Sequence, residues 1–302
     1  MEKKKKRLTK TYIKENWVLY LLLIPVIIFF VVYHFMPMFN MKMAFQDFKI
    51  FGGSKWIGFK NFNLLFTSPI FTTVLKNTVV ISLLKLILIF PIPIILSIFI
   101  NELKTSPFKK FIQTSIYLPH FLSWVIIAGI WVSFLSPTGA VNEIISMLGY
   151  KPIDFMTNKA YIKGVLVVSE AWRSVGWDSI IYLAAIIRIS HVLYEAAGID
   201  GASRWQQVKY ITLPALYPTI ITVLILNLGF FMNAGFDQVY NFMNDSVISS
   251  IDILDTYVYR IGLKSGAYSV SAAASFFKGV IGLFLIICSH LFSKKVSGKG
   301  LW

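Results

Sequence analysis

Cysteine is almost absent. The 302 residues contain one, Cys288, inside an apolar run, so neither a disulfide framework nor a cysteine metal cluster can form within the chain. Histidine is nearly as scarce, with four residues scattered at no paired ligand spacing. Charged residues make up only 14% of the chain, too few for an ordinary soluble domain. The motifs of nucleotide and hydrolytic chemistry are missing as well: there is no Gly-x-x-x-x-Gly-Lys-Ser/Thr phosphate loop, no His-Glu-x-x-His zinc pattern and no Gly-x-Ser-x-Gly elbow. Ser265-Gly266 and Gly298-Lys299-Gly300 are too short to stand in for them. A nucleotide-hydrolysing role is thereby excluded, and a membrane-embedded enzyme would lack a nucleophile, an acid pair or a metal set.

What the chain has in abundance is apolar length. Hydrophobic residues are 56% of it. Six runs, at about 17–36, 73–100, 113–135, 163–189, 219–235 and 269–292, approach or exceed the roughly 20 residues that a transmembrane helix needs. The expected fold is therefore all-α, an integral membrane protein with six transmembrane helices. Pro91 and Pro93 predict a kink in the second. No small-residue cleavage site follows the first, which reads as a retained helix and not as a signal peptide. The net charge of +15 suggests nucleic acid until it is located. With six spans both termini share a side, and the segments there, 1–16, 101–112, 188–213 and 293–302, hold 16 of the 29 Lys and Arg residues. The longer segments opposite hold about half as many. That bias places both termini of a multi-pass membrane protein in the cytoplasm. The basic arm at 1–16, with its run of lysines and Arg7, needs no partner beyond anionic lipid, so no nucleic acid is implied.

One stretch breaks the pattern. Residues 194–218, YEAAGIDGASRWQQVKYITLPALYP, form a polar island between the fourth and fifth runs. Glu195, Ala196 and Ala197 are good helix formers, Asp200 is positioned to cap a second short helix, and Gly198 and Gly201 mark a bend. Ala202, Trp205 and Val208 recur every three residues as an apolar stripe suited to docking on a partner. Leu213-Pro214 is expected to close that helix before the fifth run. Glu-Ala-Ala, three residues, Gly201, nine residues, Ile211, one residue and Leu213-Pro214 together resemble the EAA signature of ABC importer permeases, with no departure in spacing. The remaining reading of the island is an amphipathic loop lying on lipid.

The resemblance extends over most of the chain. Trp56-Ile57-Gly58-Phe59-Lys60-Asn61-Phe62 is similar to an extracytoplasmic element of carbohydrate-type permeases, although an amphipathic surface turn with aromatic anchors also accounts for it. Tyr117-Leu118-Pro119, the run from Trp172 to Trp177, Tyr182-Leu183-Ala184-Ala185 and the end Gly300-Leu301-Trp302 resemble permeases that import oligosaccharides released from complex polysaccharides. The resemblance implies a permease domain over 17–302 whose segment 190–214 is a cytoplasmic coupling helix-turn-helix between helices 4 and 5. It also implies a second, homologous permease, two ATP-binding subunits and an extracytoplasmic solute-binding lipoprotein. ATP and Mg would be held on the ATP-binding subunits, with no cofactor in this chain, and transport would proceed by alternating access.

Polar residues inside the spans are the candidate lining of a substrate path: Glu170, Arg173, Trp177, Asn227, Phe231 and Gln238. Glu170 and Arg173, three apart on one helix face, could pair and offset the cost of placing each in hydrocarbon. Asp178 lies about 140° further round and must meet something else. Asn227, Ala234 and Gln238 fall on one face if the fifth helix continues through Gly235. Such amides either hydrogen-bond sugar hydroxyls or join helices to one another, and both readings stand. Lys85 and Lys278 are expected to snorkel or pair. Two other transporters fit less of the chain: an ion-driven carrier with Glu170, Arg173 and Asp178 as relay, which leaves the island without a purpose, and an ABC permease for a non-sugar solute.

Overall fold

Long runs of Leu, Ile, Val and Phe offer the backbone no polar side chains to bond, so its N–H and C=O groups close on one another as helix. The computed structural model describes residues 15–103 and 106–297. The lysines of the basic arm, residues 104–105 and the Gly300-Leu301-Trp302 end lie outside them. Among the described residues, five helical stretches are long and apolar enough to cross a membrane: Trp17–Phe45, Pro69–Glu102, Trp124–Met147, Arg204–Gly229 and Tyr268–Leu291. A sixth is added when Ile162–Ile187 and His191–Ile199, bent by 70°, are taken together.

Helix α1 (Trp17–Phe30) buries no residue. It runs on through a π-type turn at Val31–Phe35 and a 3-10 segment at Phe39–Phe45, so the first helical stretch passes the expected end at Met36. A two-stranded antiparallel hairpin follows, β1 (Gln46–Asp47) with β2 (Lys55–Trp56), a small correction to the all-α expectation. The buried Asn61 amide at the start of α2 (Lys60–Phe66) holds that hairpin, donating to the carbonyls of Ala44 and Gln46 at 2.9 Å each. Phe45 stacks on Trp56 at 5.5 Å. Within the Trp56-to-Phe62 run, Asn61 and Phe62 are buried while Trp56 is exposed.

Pro91 and Pro93 divide the second span into α3 (Pro69–Leu88) and α4 (Pro91–Glu102), as expected. The third expected span, 113–135, is in fact broken. Helix α5 (Pro107–Tyr117) gives way to a 3-10 turn at Leu118–Phe121, and α6 (Trp124–Leu135) starts anew from Ser123, whose hydroxyl accepts from the Ile126 N–H. Pro119 cannot supply the N–H that would carry the helix through. A short helix, α7 (Ala140–Met147), occupies part of the loop that follows.

Helix α8 (Ile162–Ile187) is the hub, touching α3, α4 and α5 as well as three helices that follow it. Its buried residues Ile162, Leu166, Ser169, Gly176, Ser179, Tyr182 and Ile186 recur at helical spacing and form one stripe. Small residues on that stripe let neighbouring backbones approach, which is how helices associate where no water drives them together. Gly176 is the extreme case: a Cβ there would lie 2.0 Å from the Ile116 carbonyl oxygen of α5. Beyond the island, α9 (His191–Ile199) and α10 (Arg204–Gln207), the chain passes directly into α11 (Leu213–Gly229). The short α12 (Phe236–Phe242), α13 (Ile248–Ile251) and α14 (Leu254–Val258) precede the long α15 (Tyr268–Ser297).

Gly176→Ala should force α5 and α8 apart at a cost of roughly 1–3 kcal/mol. The expected result is a lower thermal unfolding midpoint in detergent, and an unchanged midpoint would contradict this account of the packing.

Candidate functional site

A cavity of about 780 Å³ opens between α3, α4, α8, α11 and the non-helical link that leaves α11. Its volume lies within the range of ordinary ligand pockets. Aromatic rings (Phe90, Trp177, Phe230, Phe231) alternate on its wall with groups able to hydrogen-bond (Ser82, His120, Asp178, Asn227, Asn233). Ring faces beside hydroxyl-bonding groups suit a ligand that is apolar on one side and polar at its edge.

Lys85 holds one wall together. Its ammonium, on α3, donates to Glu170 Oε2 on α8 at 3.1 Å, to the Ala234 carbonyl at 2.7 Å and to Gln238 Oε1 on α12 at 2.5 Å. Three acceptors use all three ammonium protons. Gln238 is fully buried, and its amide nitrogen is taken up by Leu166 O at 2.6 Å and Ser169 Oγ at 2.9 Å. The expected Glu170–Arg173 pair is therefore not formed. An ammonium on the facing helix reaches the carboxylate, while the Arg173 guanidinium turns the other way, over the Trp124 ring at 5.0 Å and toward the His120 carbonyl at 3.3 Å. Lys278 also pairs, with Asp255 at 2.5 Å.

The amide stripe on the fifth span is corrected too. Helix α11 ends at Gly229, and Gly235, at φ +99°, turns the chain left-handed before α12 begins. Asn227 stays on the cavity wall and bonds back to the Val223 carbonyl at 2.9 Å, whereas Gln238 joins helices and does not face the cavity. Of the six expected lining residues, Glu170, Arg173, Trp177, Asn227 and Phe231 line it. Asp178, left without a partner in the sequence reading, lines it as well. His120 was missed: it comes from the break at Leu118–Phe121 and stacks on Trp177 at 4.5 Å, nearly parallel. Only the Tyr-Leu-Pro run just before it hinted at that break.

The island is a bent pair of short helices. Gly201, at φ +77°, ends α9, with Ala202 N–H bonded to Ala197 O at 2.8 Å and Gly201 N–H to Gly198 O at 3.1 Å. This closure needs a left-handed residue at that place. The expected cap at Asp200 is replaced by Ser203: its hydroxyl accepts from the Gln206 N–H, and the Gln206 side chain accepts from the Ser203 N–H, a capping box. Asp200 instead ends α9. Gly198 lies inside α9, so the bend belongs to Gly201 alone. The apolar stripe splits, since Val208 is buried while Trp205 is 71% exposed; Ile199, which the stripe omitted, is 88% exposed.

Leu213-Pro214 does not close the second helix, which runs through a π-type turn at Val208–Thr212 into α11. The carbonyl that the Pro214 ring would strike belongs to Tyr210, inside that turn, where bonding to the fifth residue on bypasses the missing N–H. Glu195, Ala196 and Ala197 lie on α9, Ala202 in the bend, Trp205 on α10 and Ile211 in the π-type turn.

No protein-family profile matches the chain. The polygalacturonan/rhamnogalacturonan transport system permease protein YteP of Bacillus subtilis (strain 168) is 41% identical, covering 100% of this chain and 95% of the relative. Protein LplB of the same organism is 40% identical over 96% of this chain and 92% of its own. Among solved structures, a chain of the bacterial alginate ABC transporter in complex with an alginate pentasaccharide-bound periplasmic protein superposes with a TM-score of 0.90. It is 38% identical, and the match covers 98% of this chain and 100% of that one.

Removing one partner of a partly buried ion pair strands the other charge, whereas removing both is milder. Lys85→Met alone should therefore lower the unfolding midpoint and the amount of inserted protein more than Lys85→Met combined with Glu170→Gln. A double variant no better than the single would show that the pair is not what Lys85 supports.

Proposed function

The chain belongs to the permease subunits of ABC sugar importers, and from that premise we propose that it forms half of a transmembrane path that carries oligosaccharides by ATP-driven alternating access. The partners this reading requires are a second homologous permease, two ATP-binding subunits that hold ATP and Mg, and an extracytoplasmic solute-binding lipoprotein. Residues 190–214 are the cytoplasmic coupling segment, consistent with the placement of the basic residues.

One observation carries the reading. Helix α9 buries none of its residues, yet the bend beyond it is fully bonded, and large apolar side chains stand exposed on both sides of it. A rigid, apolar, uncovered bend is suited to seating in another protein and being pulled by it. Because α10 continues into α11 through the π-type turn, a pull on the bend acts directly on a helix that lines the cavity. Sugar released into that cavity would meet Trp177, Asn227 and Phe231 at its wall. An ion relay through Glu170, Arg173 and Asp178 draws no such support, since Lys85 already holds Glu170.

Gly201→Asp places a β-carbon on a left-handed residue and should distort the bend while leaving the membrane helices intact. The assembled transporter is expected to insert normally and lose sugar-dependent ATP turnover; normal coupling in the variant would refute the role of the bend. Trp205→Ala with Ile199→Ser should release the ATP-binding subunit on purification, whereas unaltered co-purification would place the contact elsewhere. In cells with ATP maintained, uptake should survive collapse of the proton gradient, as an ion-driven carrier's would not.

A further inference from the structure

Two cations line the cavity, and they are not equally satisfied. Lys85 has three acceptors, one of them a carboxylate. The guanidinium of Arg173 has one carbonyl at 3.3 Å and the face of Trp124, and no carboxylate within 4.0 Å among the described residues. Its Nε is buried with no hydrogen-bond partner. Ser82 Oγ and His120 Nδ1, on the same wall, are buried without partners too. A guanidinium carries five N–H donors in a planar fork matched to a carboxylate, and one weak acceptor leaves most of them unused. The acids nearby do not fill the gap: Glu170 is neutralised by Lys85, and Asp178 takes a hydrogen bond from Ser174 on its own helix. The ring of Trp124 offsets part of the charge but supplies no acceptor in the plane of the fork.

We propose that Arg173 is a specificity-determining residue that takes the carboxylate of an acidic, uronate-bearing oligosaccharide in this cavity. The inference rests on the sugar-import reading and narrows it to a substrate class. The ligand's carboxylate provides the counter-charge that the protein withholds, while Trp177, stacked with His120, offers the sugar ring an apolar face. Asp178, further along α8, accepts from hydroxyls and disfavours a second carboxylate at that end. The fit is thus to one acidic group held at Arg173.

The test is equilibrium binding of radiolabelled trigalacturonate and of its fully methyl-esterified form to the assembled transporter in detergent, without the solute-binding lipoprotein. Esterification removes the charge and keeps the ring sequence. The acid should bind tighter than the ester by roughly tenfold or more, the loss expected when one charge-assisted hydrogen bond is removed. Arg173→Gln should abolish that preference, the acid losing far more affinity than the ester, and Arg173→Lys should restore part of it. Equal affinity of acid and ester in the wild-type transporter overturns the assignment and leaves sugar import standing. A preference that persists in a folded Arg173→Gln complex also overturns it. Binding of neither sugar overturns this inference, while the sugar-import reading stands or falls on the coupling and uptake experiments.

Discussion

A single ammonium group organises the centre of this protein. Lys85 stands in an apolar helix, where a bare charge costs too much to persist. It is tolerated because three oxygens from three separate parts of the chain converge on it. The same demand therefore pins α3 to α8 and holds the link between α11 and α12. Gln238 extends the network, its buried amide joining that link to the stripe of small residues on α8. Where lipid removes the ordinary hydrophobic drive between helices, such polar convergence and close small-residue contact set their arrangement.

The wall that Lys85 stabilises is also the wall of the cavity. Phe230, Phe231, Asn233 and Gly235 belong to the link it fixes, and Arg173 lies one helical turn beyond Glu170 on the facing side. Satisfying Glu170 with a lysine leaves the arginine available. Had the two neighbours on α8 paired, the cavity would present a neutral couple and Lys85 would lack its carboxylate. The charges on this surface are thus unequally paired: Lys85 meets a carboxylate and Arg173 does not.

The polar island at 190–214 obeys a different logic, since its order comes from local bonds. A left-handed glycine, a capping box and a π-type turn fold the bend without burying its apolar tips. The Tyr194 hydroxyl meets Thr212 at 2.8 Å, tying the first short helix to the start of the next span.

Features set by local spacing were legible in the sequence. The apolar runs, the proline kink after α3, the left-handed role of Gly201 and the island between two spans all follow from residue type and position along one element. Helix ends were less legible because prolines mislead. Pro214 reads as a stop, yet a π-type turn carries the helix past it, whereas Pro119 does break one. The partners of the charged groups could not be read at all. Local periodicity offers Arg173 to Glu170, but the carboxylate's true partner is 85 positions away, and Gln238 meets Lys85 across 153. Which cation is neutralised and which is not depends on helices brought together from distant parts of the chain, and only the packed structure decides that.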